Sequence, residues 1–161
     1  MSADQNDRIA VKRQSGDAPD WVQLTVRNNQ LGTITNSGSI YGGAESSNPG
    51  MMAVGATYFN SAASIADYSS RGPTPDGRIK PDIVGAASVS VATSTFGGTS
   101  ASAPHIAGLV ALVKEENPDL TPAEIAAYLK RSALPRRSKI PNSTWGHGFS
   151  YLPRCDHACL P

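Results

Sequence analysis

The stretch that most constrains this chain is Phe96-Gly97-Gly98-Thr99-Ser100-Ala101-Ser102-Ala103-Pro104-His105-Ile106-Ala107-Gly108, which runs without an acidic residue or a lysine into Leu109-Val110-Ala111-Leu112-Val113. It predicts a glycine-rich turn that delivers the Ser100 hydroxyl onto the start of an apolar helix. Thr99 suits the N-cap, which makes Ser100 the first helical residue, where unpaired N–H groups and the positive dipole end favour negative charge. An oxyanion formed by attack of Ser100 would sit in that field. Pro104, four residues on, cannot donate to the Ser100 carbonyl, so the first turn is irregular at the serine. Glycine and alanine on both sides leave room for backbone or substrate to approach. On the residues alone two readings stand: a nucleophile site, or a buried helix N-terminus whose glycines serve packing. A phosphate-binding loop is excluded, because no lysine precedes Thr99 or Ser100.

Three further segments bear on that choice: Asn48-Pro49-Gly50-Met51-Met52-Ala53-Val54-Gly55-Ala56, Tyr68-Ser69-Ser70-Arg71-Gly72-Pro73 and Lys80-Pro81-Asp82-Ile83-Val84. Together with Gly98-Thr99-Ser100-Ala101-Ser102-Ala103-Pro104-His105-Ile106-Ala107-Gly108 they resemble the subtilisin-like serine proteases (subtilases, peptidase family S8), in the family's order and at about its spacing. The resemblance covers roughly residues 21–153. It implies that Ser100 is the nucleophile and that its backbone N–H is one oxyanion donor. The family's chain order is Asp, His, Ser. Here His105, His147 and His157 all follow Ser100, and the family's Asp motif, its His-Gly-Thr motif and its oxyanion Asn have no counterpart. The chain therefore resembles the C-terminal part of a subtilase catalytic domain. His105 belongs to the serine signature, and Asp82 matches the structural Lys-Pro-Asp motif rather than the triad acid. Gly85-Ala86-Ala87 stands where the family commonly has Ala-Pro-Gly, which leaves the course of residues 89–93 open.

The resemblance implies an α/β fold: the C-terminal portion of a subtilase-type parallel sheet flanked by helices, with a β-hairpin insertion near the N-terminus. Residues 1–153 read as a partial subtilase domain, with 8–47 as the hairpin and loop insertion and 154–161 as an unmatched tail. Ile9-Ala10-Val11-Lys12 and Trp21-Val22-Gln23-Leu24-Thr25-Val26 read as strands joined by turn residues 15–20; a flap over the substrate cleft is the alternative. Residues 32–48 read as loop. Met51-Met52-Ala53-Val54-Gly55-Ala56 reads as a strand buried on both faces, and residues 69–80 as a chain of turns. The helix after Ser100 is apolar nearly all round from Ile106 to Val113, which predicts burial, and it stops at Asn117-Pro118. Thr121-Pro122-Ala123-Glu124 is a capping box with proline at the first helical position, opening an amphipathic helix through Ile125, Tyr128, Leu129 and Ser132. Trp145-Gly146-His147-Gly148-Phe149 resembles the segment that closes subtilase domains, with His147 as a packing residue.

At 161 residues and a formal charge of +1, the chain offers no long basic run for nucleic acid or a membrane surface. Its longest uncharged run near the serine is too short to span a bilayer. The polar start Met1-Ser2-Ala3-Asp4 is no signal peptide, so no location is assigned, although the family is mostly exported. Arg131, Arg136, Arg137 and Lys139 read as a solvated helix end, and Asn142-Ser143-Thr144 fits a glycosylation pattern. Cys155 and Cys159 are the only two cysteines. With His157 they offer three metal ligands where structural zinc wants four, so free thiols are the simpler reading, a small disulfide loop remaining open.

Two functional readings result. In the first, the chain is the serine-bearing part of a serine endopeptidase acting on peptides or proteins. Its chemistry needs no cofactor, the family's structural calcium being possible with unknown ligands. Without the family's Asp, His and oxyanion Asn, it is expected to be inactive alone. In the second, it is a non-catalytic fragment or pseudo-enzyme that binds a complementary chain, one able to supply the Asp and His.

Overall fold

The computed structural model describes residues 14–17, 46–91, 94–137 and 139–153. The chain divides into two units, Met1–Gln30 and Leu31–Pro161. In the first, the described residues 14–17 form an exposed bend with Gly16 at φ 78°, as expected of a turn. The strands expected on either side, the 32–45 loop and the tail with Cys155, His157 and Cys159 lie outside the described residues.

In the second unit the chain enters through a turn. Asn48 Oδ1 accepts the Gly50 N–H at 2.9 Å, and the Met51 N–H donates to the Asn48 carbonyl at 3.0 Å. This side chain-stabilised turn holds Met51 out of the ladder, so the strand expected from Met51 begins three residues later. Strand β1 is Val54–Tyr58 and β2 is Ser61–Ile65, an antiparallel hairpin with a register shift at Thr57/Tyr58. Strand β3, Ile83–Ala87, lies parallel to β1 with Val54 opposite Ile83 and Tyr58 opposite Ala87. The sheet order is β2-β1-β3, so the expected parallel pair is present inside a mixed sheet. On the other side of β3, Val84 exchanges backbone hydrogen bonds with the Gly148 carbonyl and the Ser150 N–H, and Leu134 pairs with Phe149. The segment around Trp145 thus closes the sheet edge.

Val89–Val91 and Ser94–Phe96 form a second antiparallel pair, β4 and β5, which gives the open 89–93 stretch its course as a hairpin entered through Ser88 at φ 59°. Helix α1, Thr99–Glu116, follows, and α2 is Pro122–Ser132. The capping box is present as expected: Glu124 N–H donates to Thr121 Oγ1, and the Thr121 N–H donates back to Glu124 Oε2 at 2.7 Å. α1 ends with Asn117 N–H on the Val113 carbonyl, and Lys114 Nζ donates to the carbonyls of Pro118 and Leu120.

α1 sits on the sheet through small residues. Ala101 and Ser102 are buried, and Ser102 Oγ donates to the Gly55 carbonyl at 2.7 Å. A Cβ at Gly85 would lie 2.7 Å from Ser102 Oγ, closer than two such atoms approach, so glycine there lets the helix rest on β3. Around this contact Ala56, Ala66, Ala87 and Ala101 form one small cluster. Further along the helix, Ile83, Ile106, Val113, Ile125, Tyr128 and Leu129 form the larger core, each fully buried side chain contributing about 1.5–3 kcal/mol.

One expectation is overturned. Only one stripe of α1 is buried, because sheet and α2 cover it from one side: Ile106 and Val113 are inside, while Ala107, Gly108 and Ala111 are exposed and Leu112 is 54% exposed.

The contact at Gly85 makes a coupled prediction. Ser102→Ala and Gly85→Ala should each cost about 1–3 kcal/mol in urea denaturation. The double variant should cost less than the sum, because removing Ser102 Oγ frees the space that the new methyl group needs.

Candidate active site

Phe96 ends β5, and Gly97 and Gly98 carry the chain into α1. The N-cap is Gly98, at φ 77° and ψ 174°, not Thr99 as expected. The left-handed φ suits a residue without a Cβ, and it places Thr99 inside the helix as its first residue with Ser100 second. The Ala101 N–H closes on the Gly98 carbonyl at 3.0 Å. No side chain caps the helix and no acidic residue stands in its first turn, so the positive end of α1 is left uncompensated around Ser100. Ser100 is exposed, and Pro104 lies within the helix, where it withholds the hydrogen bond that the Ser100 carbonyl would otherwise receive. The arrangement presents a hydroxyl at the point where a developing negative charge is most favoured.

Neither described histidine is hydrogen-bonded to Ser100. His105 Nδ1 lies 3.0 Å from the Ala86 carbonyl, an N–H donation that ties α1 to the end of β3. His147 is half-buried and its backbone N–H donates to the Asp82 carbonyl at 3.0 Å. Burial, followed by the Lys130 charge and opposed by Asp82, pushes the His147 imidazole below its usual pKa.

Asp82 is the best-placed carboxylate before the serine in sequence, yet its oxygens are fully engaged. Oδ2 accepts from Lys80 Nζ at 2.6 Å and the Ala53 N–H at 2.8 Å, and Oδ1 accepts from Lys130 Nζ at 2.7 Å. Burial raises its pKa, but the hydrogen bonds from Lys130, Lys80 and Ala53 together outweigh that and leave the carboxyl below its ordinary range. Asp82 thus ties the start of β1, the entry to β3 and the last turn of α2 together. Sequence reading missed Lys130 as a partner in these ties, and Ser102 as the side chain that ties α1 to the Gly55 carbonyl. Lys130 carried one signal, a basic residue in the last turn of α2, but its acid lies far away in sequence.

A second carboxylate, Asp76, shares a surface turn with Thr74 and Arg78. The Arg78 guanidinium 2.7 Å away, followed by the Thr74 hydroxyl, lowers it to about 2. Asn142 is committed as well. Its Nδ2 donates to the Lys139 carbonyl and its Oδ1 accepts the N–H groups of Thr144 and Trp145, which leaves the glycosylation pattern with an occupied amide. Among the described residues no three of His, Cys, Asp and Glu stand close enough to hold a metal ion, and no helix is long and apolar enough to cross a membrane.

A model of the subtilase family, Peptidase_S8, matches residues 24–148. The chain belongs to the subtilase family. Among subtilases of known name, it is 34% identical over 113 residues to bacillopeptidase F of Bacillus subtilis, covering 63% of this chain and 8% of that protein. It is also 34% identical over 117 residues to the serine protease AprX of the same organism, covering 57% and 26%. The solved structure of the Clostridium perfringens CspB protease superposes with a TM-score of 0.52 at 31% identity, over 60% of this chain and 24% of that one. The chain thus spans about a quarter or less of these relatives' length. The family match runs through both the Ser100 turn and the Asp82 cluster.

The Asp82 ties predict an acid-sensitive subtilase fold. A carboxyl held below its unfolded value of about 3.9 contributes stability that is complete above that pH and lost as pH falls through the lowered folded value. Asp82→Asn, which leaves two lysines facing a neutral amide, should cost about 3 kcal/mol at pH 7 by urea denaturation. The same variant should show a shallower loss of stability between pH 5 and 2 than the parent protein.

Proposed function

We propose that this chain carries the nucleophile of a subtilisin-type serine endopeptidase, and that Ser100 is that nucleophile. The observation that supports it most is the exposed Ser100 hydroxyl at the uncapped, acid-free N-terminus of α1, inside a segment matched to the subtilase family. In the reaction Ser100 Oγ adds to a peptide carbonyl carbon, and the carbonyl oxygen takes up the negative charge. The Ser100 backbone N–H donates to that oxygen, and the dipole of α1 favours it. The amine then leaves with a proton and an acyl-serine remains for water to hydrolyse. The substrate is a peptide or protein, and the reaction needs no cofactor.

A serine hydroxyl is a weak nucleophile without a base. In these 161 residues the family's Asp motif, His-Gly-Thr motif and oxyanion Asn have no counterpart, and neither described histidine is hydrogen-bonded to Ser100. The reading therefore includes inactivity of the chain by itself and activation by a chain that supplies Asp, His and Asn. The exposed apolar side of α1, with Leu112 54% exposed, favours such a partner, since an uncovered apolar helix face invites burial.

Fluorophosphonate labelling tests both parts. The purified chain should label at least about 1000-fold more slowly than an intact subtilase. Addition of a subtilase N-terminal half bearing Asp, His and Asn should restore labelling that Ser100→Ala abolishes. Labelling of the isolated chain that vanishes in Ser100→Ala would overturn the inactivity, and restored labelling that survives Ser100→Ala would overturn the nucleophile.

A further inference from the structure

Away from α1 and the turn before it, β2 borders a groove. Strand β2 pairs with β1 on one side, and among the described residues no strand pairs with its other side. Its sequence, Ser61-Ala62-Ala63-Ser64-Ile65, carries neither the charge nor the proline that commonly blunts an edge strand. Ala63, Ser64 and Ile65 all line one cavity of about 440 Å³. Successive side chains of a strand point to opposite faces, so a cavity touching three in a row runs beside the strand, along its backbone, rather than over one face. The opposite wall is the 142–145 turn, fixed by Asn142 Oδ1 on the N–H groups of Thr144 and Trp145, with Trp145 only 1% exposed.

Arg71 and Arg137 also line this groove, and no lining residue is acidic. Both are exposed. Arg78 pairs with Asp76 and Arg136 lies over the Phe149 ring at 5.3 Å. By contrast, among the described residues neither Arg71 nor Arg137 has a carboxylate partner. Among the described residues, two guanidiniums without a carboxylate partner therefore stand beside a strand edge without a paired strand. Guanidinium forks match carboxylates with two parallel hydrogen bonds, and a free edge matches an extended backbone.

We propose that this groove docks an extended acidic peptide, which adds as a strand to the outer edge of β2 and sets carboxylate side chains on Arg71 and Arg137. The five residues of β2 offer an edge of about 17 Å, the span of four or five extended peptide residues. Main-chain hydrogen bonds supply affinity without sequence preference, and the two arginines select acidic over neutral or basic peptides. No residue of Ser100's turn lines the groove, so the proposal stands apart from the reaction proposed for Ser100.

The test uses the full 161-residue chain and a fluorescein-labelled peptide, Thr-Glu-Val-Glu-Val-Glu-Thr, read by anisotropy. Its counterparts carry Gln or Lys in place of Glu. The Glu peptide should bind at least about tenfold more tightly than the Gln peptide, more weakly as salt rises, and at least about tenfold more weakly when alternate amides are N-methylated. Arg71→Ala/Arg137→Ala should remove the preference for Glu. Arg71→Glu/Arg137→Glu should transfer it to the Lys peptide, an outcome that only a folded groove can give. Equal binding of the Glu peptide to the parent protein and to Arg71→Ala/Arg137→Ala would overturn the proposal. Full displacement of the peptide by inorganic phosphate or glutarate at the peptide's own concentration would overturn it too, by assigning the groove to small anions.

Discussion

The close approach of α1 to the sheet is the contact on which the rest of this structure depends. It rests on the absence of bulk at Gly85, on the buried Ser102 hydroxyl and on the carbonyl of Gly55. A hydrogen bond between a buried hydroxyl and a strand carbonyl is directional, so it fixes the helix along its axis as well as its height above the sheet. Ser102 lies two residues from Ser100. The distance over which positional error can accumulate between sheet and proposed nucleophile is therefore half a helical turn. His105, a turn further on, adds its own tie to the Ala86 carbonyl.

Much of this was legible in the sequence where a local rule acts alone. The Thr121–Glu124 capping box, the stop at Asn117-Pro118 and the amphipathic face of α2 depend on neighbours within four residues, and each is found where the pattern places it. Apolar character at Met51 and Met52 puts the start of β1 three residues early in the sequence, where the Asn48 turn shows only as an Asn and a Gly. Sequence favours Thr99 as the cap because threonine is the better side-chain cap, while the observed cap is Gly98, made by its backbone φ. The family's four motifs were readable because their residues are contiguous. Ser102 on Gly55 and Lys130 on Asp82 were not, since each joins elements far apart in the chain and leaves no periodic trace.

Burial of α1 shows the limit of composition. An apolar stretch from Ile106 to Val113 states what the helix can bury, not what is present to bury it. In this structure the sheet and α2 reach Ile106 and Val113 and leave Leu112 in contact with solvent. The Asp82 cluster illustrates the complementary case. A carboxylate and two lysines are costly to bury singly, yet together with the Ala53 N–H they join three elements beside the core residues Ile83 and Leu129.

The hairpin of β4 and β5 has a mechanical consequence. β5 ends at Phe96, whose side chain is 42% exposed, and only Gly97 and Gly98 separate it from the helix that bears Ser100. Whatever presses on the hairpin pulls on a two-residue leash attached to the head of α1. The leash is made of the most pliant residue type, while the helix beyond it is pinned at Ser102 and His105. The two glycines are therefore the softest link between the hairpin and α1, and the first side-chain tie of the helix to the sheet comes two residues after the serine, at Ser102.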